Sequence, residues 1–84
     1  MKTITEFTEG VVQDINKARK AARGSWYTFL KTYTYGARSI DVRIKGYKTW
    51  LQVFSINGII HSSGADISVS ELEHNIIEAI EYHL

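Results

Sequence analysis

Between residues 40 and 45 the chain alternates strictly, with Ile40, Val42 and Ile44 set against Asp41, Arg43 and Lys45. Side chains on a strand point to opposite faces in turn, so this period marks a strand with one dry face and one wet face. A sheet built around it has to be covered on one side and left to water on the other. The cover is found at the two ends of the chain.

Over residues 3–23, Ile4, Phe7, Val11, Ile15, Ala18 and Ala22 recur at three- and four-residue spacing, the single stripe of an amphipathic helix. Thr3 followed by Glu6 has the form of a capping box. Glu6 and Glu9 near the start, and Lys17, Arg19, Lys20 and Arg23 near the end, suit the helix dipole, and Gly24 is placed to stop the helix in a left-handed cap. Gly10 inside the helix costs about 1 kcal/mol relative to alanine. At the other end Val69, Leu72, Ile76, Ala79 and Ile80 form a second stripe, flanked by Ile77 and Leu84. This helix starts near Ser68 or Ser70, each with a glutamate three residues on (Glu71, Glu73), so two capping boxes compete.

The middle of the chain reads as strands. Ser25–Tyr35 is rich in aromatic and β-branched residues, which suit a pleated surface. A continued helix competes there, because Trp26, Leu30 and Tyr33 also sit at helical spacing. Lys45-Gly46-Tyr47-Lys48 supplies a turn into a strand over Thr49–Ile56, with Trp50, Gln52, Phe54 and Ile56 on one face and Leu51, Val53 and Ser55 on the other. Asn57-Gly58 is the strongest short hairpin signal, because both residues tolerate positive φ, and Ile59–Ser62 returns as a short strand. Ser63-Gly64-Ala65-Asp66 reads as loop. The expected fold is α+β: helix, three- or four-stranded antiparallel sheet, helix, in a two-layer sandwich forming one small domain over residues 1–84.

Composition narrows the function classes. A chain of 84 residues buries only about 60–65% of its unfolded surface, so its stability margin is thin and few catalytic sites fit on it. Hydrophobic residues at 44% and charged residues at 23% exclude a disordered tail. The absence of cysteine excludes disulfides and thiolate metal sites and suggests a reducing compartment. No run of 18 apolar residues is present, so no membrane-spanning helix is expected. With acids at Glu6, Glu9 and Asp14, no signal peptide is expected at the N-terminus.

Two groups hold residue types suited to chemistry. Glu71, His74 and Glu78 share a helical face but match no zinc spacing, and they read as a solvated acidic face. His61, Ser62, Ser63 and Asp66 contain the residue types of a nucleophilic triad without an accompanying Gly-x-Ser-x-Gly. The expectation is therefore no enzyme, no metal and no cofactor.

Charge is distributed unevenly. Residues 1–48 hold ten bases against four acids, a balance of +6, while residues 49–84 hold no base and five acids. Such polarity steers charged partners or favours head-to-tail pairing. Residues 17–48 interleave bases with aromatic side chains. Two uses follow from that stretch. A protein-binding face takes Tyr33, Tyr35, Arg38, Arg43 and Tyr47, since Tyr and Arg are favoured at interface hot spots. A nucleic-acid face takes Lys17, Lys20, Arg23, Lys31, Arg38, Arg43 and Lys45 on phosphates. A homodimer through an uncovered edge strand also stands open.

The helix–strands–helix order superficially resembles the double-stranded-RNA-binding domain. That family opens its second helix with a lysine-rich run, whereas Ser70-Glu71-Leu72-Glu73-His74 reverses the charge, so its function is not carried over. The segment from Lys48 through Trp50, Phe54, Asn57 and His61 to Ser63, with the acidic helix after it, resembles short bacteriophage accessory proteins of the host-takeover or anti-defence type, anti-CRISPR proteins included. The resemblance implies a non-catalytic inhibitor. Its partner would be a host protein or complex (an enzyme, a transcription component or a defence complex) in the cytoplasm of a bacterial cell. It carries no functional residue across.

Overall fold

The computed structural model describes residues 2–62, 64–66 and 69–84. Helix α1 spans Ile4–Ala21, strands β1 to β4 span Trp26–Tyr35, Arg38–Tyr47, Trp50–Ile56 and Ile59–Ser62, a two-residue β5 lies at Ala65–Asp66, and helix α2 spans Val69–His83. The sheet is antiparallel in the order β1-β2-β3-β4, with β5 pairing the start of β3 beyond the end of β4. This is the α+β arrangement that the two stripes and the alternation predict. In the stretch 25–35, where helix and strand competed, the chain is strand from Trp26 to Tyr35. Ser63 and Ser68 lie outside the described residues, as does the choice between the two capping boxes of α2.

Burial follows the alternation. Ile40, Val42 and Ile44 of β2 are fully buried, each apolar side chain contributing about 1.5–3 kcal/mol. Phe7, Val11, Val12 and Ile15 of α1 and Leu72, Ile76, Ala79 and Ile80 of α2 close over them. Thr3 caps α1 as expected: its hydroxyl accepts from the Glu6 N–H at 3.1 Å while the Glu6 carboxylate accepts from the Thr3 N–H at 3.2 Å. The helices touch each other, and Asn16 donates to the Glu73 carboxylate at 2.7 Å. Helix α1 holds three acids (Glu6, Glu9, Asp14) and three bases (Lys17, Arg19, Lys20), so acid-rich α2 lies beside a helix of no net charge.

Four local expectations are corrected. The helix stop falls first on Arg23, at φ 51°, ahead of Gly24 at φ 83°. The β2–β3 turn is Lys48-Thr49, with β2 running on to Tyr47 and closing on Trp50. The register then slips between Lys45 and Gly46, where Gln52 is the extra residue, so Leu51 joins Phe54 and Ile56 on the buried face and Trp50 does not. Ala65–Asp66, expected as loop, pairs with Leu51 and Trp50. Asn57-Gly58 takes the expected turn, both residues at positive φ. Asn57 also accepts from the Asp41 N–H at 2.8 Å and donates to the Ser39 carbonyl at 3.3 Å, which extends the support of β2 past the end of β3.

The slip in register presses β3 against Gly46: a Cβ there would lie 2.7 Å from the Trp50 carbonyl oxygen. Two residues on, Lys48 holds a left-handed backbone at φ 53° without being glycine. Substitutions at these neighbouring sites should act with opposite sign. Gly46→Ala is expected to destabilise by about 1–3 kcal/mol through overpacking. Lys48→Gly is expected to stabilise by about 0.5–1 kcal/mol through relief of the backbone. Chemical denaturation of both variants checks the pair.

Candidate functional site

Both helices lie on the face of the sheet that carries Ile40, Val42 and Ile44, and the opposite face has no cover among the described residues. The strand registers set its side chains in rows. One row runs Trp26, Tyr47, Trp50; the next runs Thr28, Lys45, Val53; a third runs Leu30, Arg43, Ser55, Ile60. Trp26, Leu30 and Ile60 are 53%, 61% and 63% exposed, large values for apolar side chains on a regular sheet. Trp26 packs its ring on two neighbours, at 5.9 Å from Tyr47 and at 5.5 Å edge-on from Trp50. The Lys48 ammonium lies 5.3 Å from the Tyr47 ring centroid, a cation–π contact at the rim.

Arg43 and Lys45 stand among these apolar groups, exposed and without an ion pair among the described residues. Asp41 shares the face one position further along β2, beside Thr32. The result is an apolar platform with two unpaired positive charges at its middle. It offers area, ring faces and cationic donors.

The expected contact residues divide between the two layers. Arg38, at the β1–β2 turn, pairs with Tyr35 and so has the parity of the helix side, while Arg43 and Tyr47 belong to the open face. Tyr33 and Tyr35 point the other way, beneath α1, where their rings lie 6.0 Å and 5.0 Å from that of Phe7. The Tyr33 hydroxyl donates to the Asp14 carboxylate at 2.7 Å, and the Lys31 ammonium donates to the same oxygen at 3.0 Å. The Tyr33 hydrogen bond first, and Lys31 second, hold the Asp14 carboxyl below its ordinary value. Burial first, and the Asp14 carboxylate second, push the Tyr33 phenol up.

The expected phosphate-binding set is also dispersed. Lys17, Lys20 and Arg23 project from α1 and its end, Lys31 is engaged with Asp14, Arg38 is at the β1–β2 turn, and only Arg43 and Lys45 share the open face. Trp26, Leu30, Trp50 and Ile60 were missing from both sets. The signal for the first two was present in β1: threonines at 28, 32 and 34 mark the wet face, and Trp26 and Leu30 have the same parity. Trp50 was hidden by the register slip at Gln52.

His74 pairs with Glu78 at 3.0 Å on the exposed side of α2. His61 turns away from Ser62 and meets His83, with 2.7 Å between the two Nε2 atoms. Among the described residues no three acid, histidine or cysteine side chains converge to hold a metal, and no helix is long and apolar enough to cross a membrane. Neither family models, nor characterised proteins, nor solved structures give a match to this chain.

The histidine pair has a pH signature. Burial first, and the neighbouring His61 second, hold His83 below its ordinary value of 6.5. The unfolded chain therefore takes up that proton more readily than the folded one. The contribution of His83 is complete above pH 6.5 and declines as the pH falls through 6.5 towards the lowered value. Thermal unfolding at stepped pH should show Tm falling over this window, and His83→Gln should remove that part of the slope.

Proposed function

We propose that this protein is a non-catalytic protein-binding module that takes its partner on the open face of the sheet. The observation carrying this reading is the uncovered group of Trp26, Leu30, Tyr47, Trp50 and Ile60 with unpaired Arg43 and Lys45 among them. Large apolar side chains left on one continuous face mark an interaction surface, and buried Trp, Tyr and Arg anchors carry most of the energy of such contacts. The cations specify the other side: a protein surface with an apolar centre and carboxylates placed to meet Arg43 and Lys45. The resemblance of the Lys48–Ser63 segment to phage accessory proteins takes the proposal one step further. The partner is then a host enzyme, transcription component or defence complex, and the protein is its inhibitor inside the bacterial cell.

Single-stranded nucleic acid is the second reading, favoured by the alternation of rings and bases on the same face. Against it, Trp26 and Trp50 meet edge to face, which turns ring area towards each other, and the remaining bases are spread over both layers of the fold.

The experiment is capture with tagged wild-type protein and two surface variants, with and without nuclease. A partner that survives nuclease is expected to lose about 2 kcal/mol of affinity, roughly thirtyfold, with Trp26→Ala. The double variant Arg43→Glu/Lys45→Glu should weaken it further and slow association. Retention of full affinity by both variants would overturn the open face as the site. Binding that vanishes with nuclease and falls steeply with salt would transfer the reading to nucleic acid.

A further inference from the structure

The two edges of the sheet differ. The β4 side is short, four residues at Ile59–Ser62, with a slip in register beside Ser55. The β1 side is ten residues long, unbroken in its pairing with β2, and carries Lys31 as its single charge. Long, regular, sparsely charged edges invite another strand. Among the described residues, no backbone or side-chain hydrogen bond reaches the free side of Thr28–Thr34.

The direction of each peptide group on that edge follows from the pairing of β2 with its two neighbours. The Asn57 N–H donates to the Asp41 carbonyl, so Asp41 and the other odd-numbered residues of β2 turn their peptide groups towards β3, and the even-numbered ones turn towards β1. The even-numbered residues of β2 are paired with the odd-numbered residues of β1, Ile40 with Tyr33 and Val42 with Lys31. In antiparallel pairing the hydrogen-bonded pairs alternate, so Trp26, Thr28, Leu30, Thr32 and Thr34 direct their free N–H and C=O groups outward.

We propose that this edge pairs with the same edge of a second copy, antiparallel about a two-fold axis at Leu30. That register sets Leu30 against Leu30, Thr28 against Thr32 and Trp26 against Thr34 of the second copy, and every outward peptide group from 26 to 34 gains a partner. On the helix side Lys31 then lies beside Phe29 of the second copy, and Tyr27 beside Tyr33. A shift of two residues one way places Lys31 against Lys31. A shift the other way runs the pairing off the strand at Gly24. Charge and length therefore select one register.

Two further observations fit. A groove of about 570 Å³ opens between α1 and the β1 edge, lined by Gly10, Gln13, Asp14, Lys31 and Tyr33. Within the single chain nothing lies within 4 Å of a Cβ added at Gly10, so its own packing does not require the glycine that weakens the helix. Glycine suits close approach by a neighbouring backbone. Eight strands at about 4.8 Å span about 38 Å, matching four helices of about 10 Å side by side, so the two α1 helices meet over the axis and the groove falls between them. The open faces join into one surface, with the two Leu30 side chains at its centre.

The chain has no cysteine, so single replacements report the register cleanly. In a hydrogen-bonded antiparallel pair the facing Cα atoms are about 5.5 Å apart, within disulfide range. Native Leu30→Cys is expected to oxidise to a covalent dimer, and Thr28→Cys and Lys31→Cys far more slowly. By sedimentation the wild type should show twice the 9.6 kDa chain mass at about 100 μM. Thr32→Pro removes an outward N–H that β2 does not use, and should melt cooperatively at the single-chain mass. Leu30→Lys, which sets like charges on the axis, provides the same test should the proline variant not fold. A wild-type monomer, faster cross-linking of Thr28→Cys or Lys31→Cys, or a folded Thr32→Pro or Leu30→Lys that stays dimeric, would overturn the proposal. So would a monomer whose β1 edge is instead filled by a strand from another protein.

Discussion

One-sided burial of β2 governs the rest of the molecule. Ile40, Val42 and Ile44 have no exposed surface, while Arg43 and Lys45, next to them in the chain, stand in water. An antiparallel sheet tolerates this because its two faces are independent. Once β2 commits its dry side, the flanking strands must set their apolar side chains to the same layer, and both helices must come to that side. Most of the apolar side chains of a small chain then go into a single layer, and both helices with them, which is why the other face is uncovered.

The uncovered face is not the polar surface that such an arrangement usually produces. Its threonines and its two cations fit the pattern, whereas Trp26, Leu30 and Ile60 do not. Their exposure is not required by the core, since the buried layer is already continuous from Phe7 to Ile80. This excess separates a surface kept for contact from one that is merely wet, and supports reading the protein as a binding module. The same logic applies at the sheet margin, where the long β1 edge is blunted only by Lys31.

How much of this was legible in the sequence varied with the range of the interaction. The capping box at Thr3 and Glu6 and the turn at Asn57-Gly58 depend on neighbours within four residues, and both are found where the spacing placed them. The faces of β3 depend on a contact between strands. Pairing of Gly46 with Leu51 leaves Gln52 as the extra residue, and every side chain before it changes face. Tyr33 and Tyr35 were candidates for a surface because they are aromatic and near bases. Phe7 and Asp14 on α1, about twenty or more residues earlier in the chain, draw them under the helix, since a phenol can bury its ring while its hydroxyl keeps a hydrogen-bond partner.

By itself the sequence determined the elements, their order and which side of each strand was dry near its own repeat, because periodicity and capping are local properties of a chain. Tertiary structure decided which residues share a surface. It set Trp26, Tyr47 and Trp50 in one row, dispersed the bases of residues 17–48 over two layers, brought His61 to His83, and left β1 rather than β2 or β3 at the margin. The physical reason is that register, strand order and helix placement are settled by long-range packing, in which a one-residue slip reverses a face that no local pattern can assign.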